Sequence, residues 1–144
     1  MIDRRIDALM EDRRRPLLSY EFFPPKDRTA WDRFVRCVET MRPSLPDFTT
    51  VTYGAGGSTR DRTIEACRFL REQTGTPVMS HLTCVGSTRD ALVDLAGRLH
   101  AEGIRNIMAL RGDPPRDVPP VRPAPGDPAY ACDLVSLLSD VSED

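Results

Sequence analysis

Apolar residues in this chain fall in short blocks that alternate between strand-like and helix-like spacing. Residues 2–14 are charged and only weakly apolar, a pattern that predicts a short helix ended by Pro16. In LLSYEFFPP, 17–25, the first seven residues have the pattern of a buried strand, and Pro24-Pro25 stop it. Residues 27–42 predict a helix, because Trp31, Phe34, Val35 and Val38 recur at helical spacing and form one apolar face. Pro43 and Pro46 punctuate its end. DFTTVTY, 47–53, predicts a second strand, followed by the turn Gly54-Ala55-Gly56-Gly57. Ser58 opens the next helix, with Asp61 three residues later in a capping-box-like arrangement, and Gly75 closes it. PVMSHLTC, 77–84, is the third strand; Ser87 to Asp90 repeat the cap of a helix that runs to Glu102 and Gly103. RNIMAL, 105–110, is the fourth strand, a proline-rich loop covers 112–128, and a last helix covers 129–141.

The chain also repeats itself. TVTYGAGGSTRD, 50–61, aligns without gaps on MSHLTCVGSTRD, 79–90, an offset of 29 residues. That offset suits one strand–loop–helix unit. Four consecutive βα units over 17–141 fit a small doubly wound sheet or half of an eightfold barrel. A dinucleotide-binding sheet needs a glycine-rich phosphate turn after its first strand. EFFPP cannot make that turn, and Gly54–Gly57 is only a weak match whose simpler role is a tight β-to-α turn.

Composition narrows the function classes. Of 144 residues, 40% are hydrophobic and 29% charged, ordinary for a globular protein. The net charge of −2 gives no basic field for nucleic acid or an anionic membrane. No apolar run reaches the ~18 residues of a membrane span, and the N-terminus lacks a secretory pattern, so the expected compartment is the cytoplasm. Cys37, Cys67, Cys84 and Cys132 form no CxxC pair, and there are only two histidines, His81 and His100. No metal site or disulfide framework is expected, and most of the cysteines should be buried small apolar residues.

Each strand carries polar residues toward its C-terminal end, where chemistry sits in either architecture. They are Glu21, then Thr52 and Tyr53, then His81 and Thr83, then Arg111-Gly112-Asp113. Such groups at one edge of four successive strands point to a shared pocket. Glu21 lies among Tyr20, Phe22, Phe23 and two prolines, where a carboxylate that loses solvation favours its protonated form and suits a general acid. The alternative is a glutamate paired with one of the many arginines. Asp113 is either a functional carboxylate or a turn-forming Asp-Pro. Arg111 can neutralise it, or hold a phosphate or pyrophosphate with its planar fork. His81 is a core histidine or a ligand-binding one.

Five stretches, SYEFFPPK (19–26), TVTYGAGGSTRDRT (50–63), HLTC (81–84), GIRNIMALRGDPP (103–115) and YACDLVSLL (130–138), resemble in order and spacing the methylenetetrahydrofolate reductase family. The resemblance covers most of residues 17–138. It implies the N-terminal half, four βα units, of a TIM (βα)8 barrel that holds FAD at the C-terminal ends of its strands. The implied reaction is a flavin-dependent reduction of 5,10-methylenetetrahydrofolate to 5-methyltetrahydrofolate, with NADH or NADPH as reductant, in one-carbon metabolism and methionine biosynthesis. Both substrates would use one site in turn. By motif, Glu21 resembles the general acid that protonates the folate ring nitrogen, opening the five-membered ring to an iminium. Asp113 resembles the aspartate beside flavin and pterin, so both carboxylates count as catalytic and folate-binding. Thr52, His81, Arg111, Gly112, Tyr130 and Ala131 resemble positions lining FAD, with Tyr53 and Ala55 in the same turn.

The family barrel needs about twice this length, so residues 1–144 are expected to form a partial barrel whose C-terminal half is absent. Strands one and four would then be open edges, which invite pairing. A truncated fragment, a complementing half-barrel chain and closure by a second copy are the competing readings. A non-catalytic remnant that binds flavin or a partner is the alternative outside enzymology.

Overall fold

A computed structural model describes residues 4–11, 15–53, 60–114 and 123–142. Its elements in chain order are α1 (Ile6–Glu11), β1 (Ser19–Phe22), α2 (Arg28–Met41), a 3-10 turn (Arg42–Ser44), β2 (Phe48–Val51), α3 (Arg60–Thr74), β3 (Val78–Thr83), α4 (Arg89–Ala101), β4 (Asn106–Leu110) and α5 (Ala131–Ser142). Every expected strand and helix has a counterpart. Strands are trimmed by one to three residues. β1 is the clearest case: Leu17, Leu18 and Phe23 lie outside it, and Phe23 is 76% exposed where a buried strand residue was expected. The pair Pro24-Pro25 has no amide N–H to continue a ladder, so pairing stops at Phe22.

The four strands form one parallel sheet in the order β1-β2-β3-β4. A doubly wound sheet reverses its strand order at a switch point. No reversal occurs here, so the order is that of a barrel wall, and the sheet is not closed. Strand alternation sorts the residues onto two faces. Phe22, Val51, Val78, Ser80 and Leu82 face the helices, in one core with Phe34, Val38, Leu70, Leu92, Leu99 and Leu134. The rings of Phe22, Trp31, Phe34 and Phe69 stack with centroids 5.5–5.6 Å apart, which fixes α2 and α3 over β1 and β2. Phe34 and Val38 are buried and Trp31 and Val35 half-buried, the apolar face expected of α2. Asp27 caps that helix by accepting from the Ala30 amide at 2.8 Å.

The opposite, concave face carries Glu21, Thr50, Thr52, Met79, His81, Thr83, Met108 and Leu110 by the same alternation. At the N-terminal edge the Asn106 amide accepts from Ile6 N at 2.9 Å and donates to Arg4 O at 3.3 Å. That pair docks α1 against the start of β4, with Ile6 buried beneath. Asp47 joins β1 to β2 at the same edge. Its carboxylate accepts from Leu18 N at 2.8 Å and from Arg15, and its own amide donates to Leu18 O at 2.8 Å.

Two expectations need correction. The cap of α4 is Thr88, whose hydroxyl accepts from Ala91 N at 3.3 Å, and not Ser87. Ser87 instead accepts from Arg60 at 3.3 Å. Only Cys67 and Cys84 are buried; Cys37 and Cys132 lie on exposed helix faces. The cap at Ser58 and the turn 54–57 lie outside the described residues. Its expected partner Asp61 pairs across to Arg98 at 2.5 Å.

Candidate active site

Parallel strands of equal register bring their C-terminal ends to one edge, so side chains that are far apart in sequence meet there. Glu21 is opposite Thr50, Thr50 opposite Met79, and His81 opposite Met108. The Glu21 and His81 side chains belong to β1 and β3, yet Glu21 Oε2 and His81 Nε2 approach to 3.6 Å. The contact therefore spans the intervening strand, β2, on the concave face. At 3.6 Å it is close enough for charge to act and too long for a hydrogen bond.

The two partners differ in environment. The His81 side chain is 9% exposed and that of Glu21 54%. The desolvation expected for Glu21 is thus not found: Tyr20 and Phe22 point to the other face, and Phe23 is itself 76% exposed. Burial holds the His81 imidazole below its ordinary pKa, with the Glu21 carboxylate pulling the other way, so the ring is neutral at neutral pH. Two polar side-chain atoms on this face, His81 Nε2 and Thr50 Oγ1, are buried with no hydrogen-bond partner among the described residues. Leaving such an atom unpaired costs about 1–3 kcal/mol, which a fold tolerates mainly where something else comes to meet it. Thr50 was missed from the sequence. It lies two residues before Thr52 on the same face, and that spacing is the signal that finds it.

At the end of β4, the Arg111 guanidinium lies over the Tyr130 ring, 5.7 Å from its centroid. Tyr130 is held by the start of α5, where Asp133 accepts from the amides of Ala129 and Tyr130 at 3.0 and 2.9 Å. The stack fixes the stem of the guanidinium and leaves an exposed, planar donor set beside an exposed aromatic ring. Gly112 has φ +80°, and a Cβ there would stand 2.8 Å from Thr83 Cβ and 2.9 Å from Val85 Cγ1. Only glycine lets the β4 turn lie this close to β3, a contact continued by Val85 N donating to Arg111 O at 2.9 Å. Asp113 is exposed just beyond, and Ala131 opens α5.

Thr52 and Tyr53 extend β2. The Thr52 amide donates to Phe22 O at 2.9 Å, and the half-buried Tyr53 hydroxyl accepts from Arg60 Nε at 3.0 Å. Burial raises the Tyr53 phenol, opposed by Arg60. Arg60 also reaches Ser87, so one side chain ties the first copy of the internal repeat to the second. Its counterpart Arg89 spends its backbone amide on Asp127, at 2.7 Å. Sequence reading missed this clamp, because aligned repeats do not tell which copy reaches across. Ala55 lies outside the described residues. A cleft lined by Ser87, Thr88 and Asp127 opens at the same edge. Among the described residues no His, Cys, Asp and Glu cluster could hold a metal, and no helix is long and apolar enough to cross a membrane.

This geometry meets a decisive comparison: residues 5–144 match the family described as methylenetetrahydrofolate reductase. The chain belongs to the methylenetetrahydrofolate reductase family. It is 40% identical over 131 residues to a 5,10-methylenetetrahydrofolate reductase of Salmonella typhimurium, covering 88% of this chain and 40% of that one. It is 38% identical over 131 residues to the Escherichia coli K12 protein of the same name, with the same coverage. A probable methylenetetrahydrofolate reductase (NADH) of Oryza sativa subsp. japonica is 36% identical over 124 residues, 86% of this chain and 21% of the rice protein. The chain thus spans 40% of the length of the Salmonella relative and 21% of the rice one.

Proposed function

We propose that this chain supplies the proton-donating wall of a flavin-dependent site that reduces 5,10-methylenetetrahydrofolate to 5-methyltetrahydrofolate. The observation that carries the reading is the Glu21–His81 approach at 3.6 Å on the concave face of a barrel-ordered sheet, in a chain of this family. Glu21 is the general acid. Its partial exposure leaves it reachable by a substrate over the sheet, and it delivers a proton to the folate ring nitrogen so that the five-membered ring opens to an iminium. Asp113, exposed at the end of β4, lies on the same edge and orients the pterin.

The residues present fit a flavin dinucleotide. Arg111, steadied on Tyr130, offers a planar cation of the kind that holds a pyrophosphate, and Gly112 seats the turn that carries it tightly against β3. Thr52, Tyr53, Ala55, His81 and Ala131 complete that lining by family motif. When bound and reduced by NADH or NADPH, the flavin would supply the hydride, and the work takes place in the cytoplasm. The test is to titrate FAD into the 144-residue protein, then add NAD(P)H and 5,10-methylenetetrahydrofolate. Flavin uptake, bleaching and folate-dependent return of colour support the reading; absence of flavin uptake refutes it.

One observation favours a second reading. The sheet is open at β1 and β4, and the bacterial relatives are longer. A half-barrel that needs strands from elsewhere, in a homo-oligomer or a complementing chain, would take up flavin only after those strands are added.

A further inference from the structure

We infer that His81 is a positioning residue for Glu21: its Nε2–H holds the carboxylate on the concave face and stabilises the negative charge left once the proton has gone to substrate. Family resemblance assigns His81 to the flavin lining. The geometry directs its distal nitrogen elsewhere, across β2 toward Glu21 Oε2 at 3.6 Å.

A buried imidazole makes a demand on its surroundings. A neutral ring carries one N–H and one bare nitrogen, and each needs a partner when water is excluded. Among the described residues His81 Nε2 is buried with no hydrogen-bond partner, and the charged group acting on it is Glu21. A small rotation of the exposed Glu21 side chain closes 3.6 Å to hydrogen-bonding range. His81, locked at 9% exposure, cannot make the same adjustment. The mobile acid thus meets a fixed donor. Thr50 strengthens the case. It is Glu21's register partner on β2, and its hydroxyl is a second buried atom on this face with no hydrogen-bond partner among the described residues. The Thr50 hydroxyl is a second donor on the face that carries Glu21, and hydrogen bonds to a charged acceptor are roughly twice as strong as neutral ones. The proton balance is simple. Glu21 loses its proton to the folate nitrogen, the carboxylate accepts hydrogen bonds from His81 and Thr50, and neither of them loses its own proton.

The inference rests on reading Glu21 as the acid, and its first test does not. In the 144-residue chain, the His81 ring is followed by NMR through a pH titration, with and without Glu21→Gln. Glu21 is exposed enough for that change to leave the fold intact, which the backbone spectrum checks. The His81 midpoint should move down once the carboxylate that favours the imidazolium is gone. An unmoved midpoint means the two groups do not communicate and overturns the inference. The second test separates positioning from flavin lining in flavin-loaded protein. His81→Leu should slow the folate half-reaction about 10- to 100-fold, a part of the roughly 100- to 10,000-fold that acid catalysis contributes. At saturating FAD, reduction of the flavin by NAD(P)H, which needs no proton from Glu21, should fall by clearly less than the folate half-reaction, so that the ratio of the two rates changes about fivefold or more. His81→Gln, whose amide N–H stands near the position of Nε2, should restore most of the folate rate. Equal losses in both half-reactions, or none in either, would show that His81 serves the flavin or nothing. A folate half-reaction that survives Glu21→Gln would sink the reading of Glu21, whatever the NMR coupling shows.

Discussion

Replacing Gly112 with alanine tests how the β4 turn is built. Two costs combine there. At φ +80° an L side chain meets its own backbone, a penalty of about 1–2 kcal/mol. Alanine also restricts the unfolded chain, which returns about 0.4–1 kcal/mol. The second cost is steric. The new Cβ would stand 2.8 Å from Thr83 Cβ, which is fixed to the backbone of β3, and 2.9 Å from Val85 Cγ1. Forcing such a contact into packed structure costs about 1–3 kcal/mol. Gly75 supplies the control, since it has φ +67° with nothing within 4 Å of a built Cβ. Gly75→Ala should therefore cost about 0.5–1 kcal/mol and Gly112→Ala about 2–4 kcal/mol. Urea unfolding followed by circular dichroism separates them. With a slope of about 2 kcal/mol per M, the midpoint should fall by about 0.5 M or less for Gly75→Ala and by about 1–2 M for Gly112→Ala. Equal shifts would mean that the β4 turn is not pressed against β3, and would remove the reason for glycine beside Arg111.

Other expectations follow from the same structure. The Arg15 guanidinium and the Leu18 amide hold the Asp47 carboxyl down to about 2 from its ordinary 3.8. A depressed acid stabilises the fold above its unfolded pKa, and that contribution fades as pH falls from about 4 through about 2. Asp47→Asn should flatten stability in that window, and an unchanged acid-unfolding curve would contradict the clip. His81 gives a second window with the same sign: its folded pKa lies below 6.5, so its contribution is complete above 6.5 and declines as pH falls below it. His81→Gln should remove that slope from urea midpoints measured between neutral and mildly acid pH. A disulfide-exchange reagent should find Cys37 and Cys132 quickly and Cys67 and Cys84 only on unfolding, since burial pushes the Cys67 thiol up to about 12. Four equally fast thiols would mean that the helix layer is not closed over β3. Leu70→Ala, at a fully buried site between α3 and the sheet, should cost about 2–5 kcal/mol.

The elements were legible in the sequence because period-2 and period-3.6 patterns alternate and prolines mark their ends. The residues that line the concave face were legible for the same reason: Glu21, Thr52 and His81 stand at the ends of strands that must be parallel. Pairing across the sheet was not legible. That Glu21 meets His81 rather than an arginine depends on two side chains reaching over a strand that separates them, and no spacing encodes it. The environment of Glu21 was misjudged because neighbours in a strand point to opposite faces: Tyr20 and Phe22 are adjacent in sequence and on the far side of the sheet. The expected cap at Ser87 went to Thr88 because Arg60, a residue of the preceding unit, takes the serine hydroxyl.

The most direct test of the central claim is the visible spectrum of the purified 144-residue protein during titration with FAD. A perturbed flavin band that saturates is expected, with uptake about tenfold or more weaker in Arg111→Ala and bleaching on addition of NAD(P)H. A flavin spectrum identical to that of free FAD at every protein concentration would contradict it.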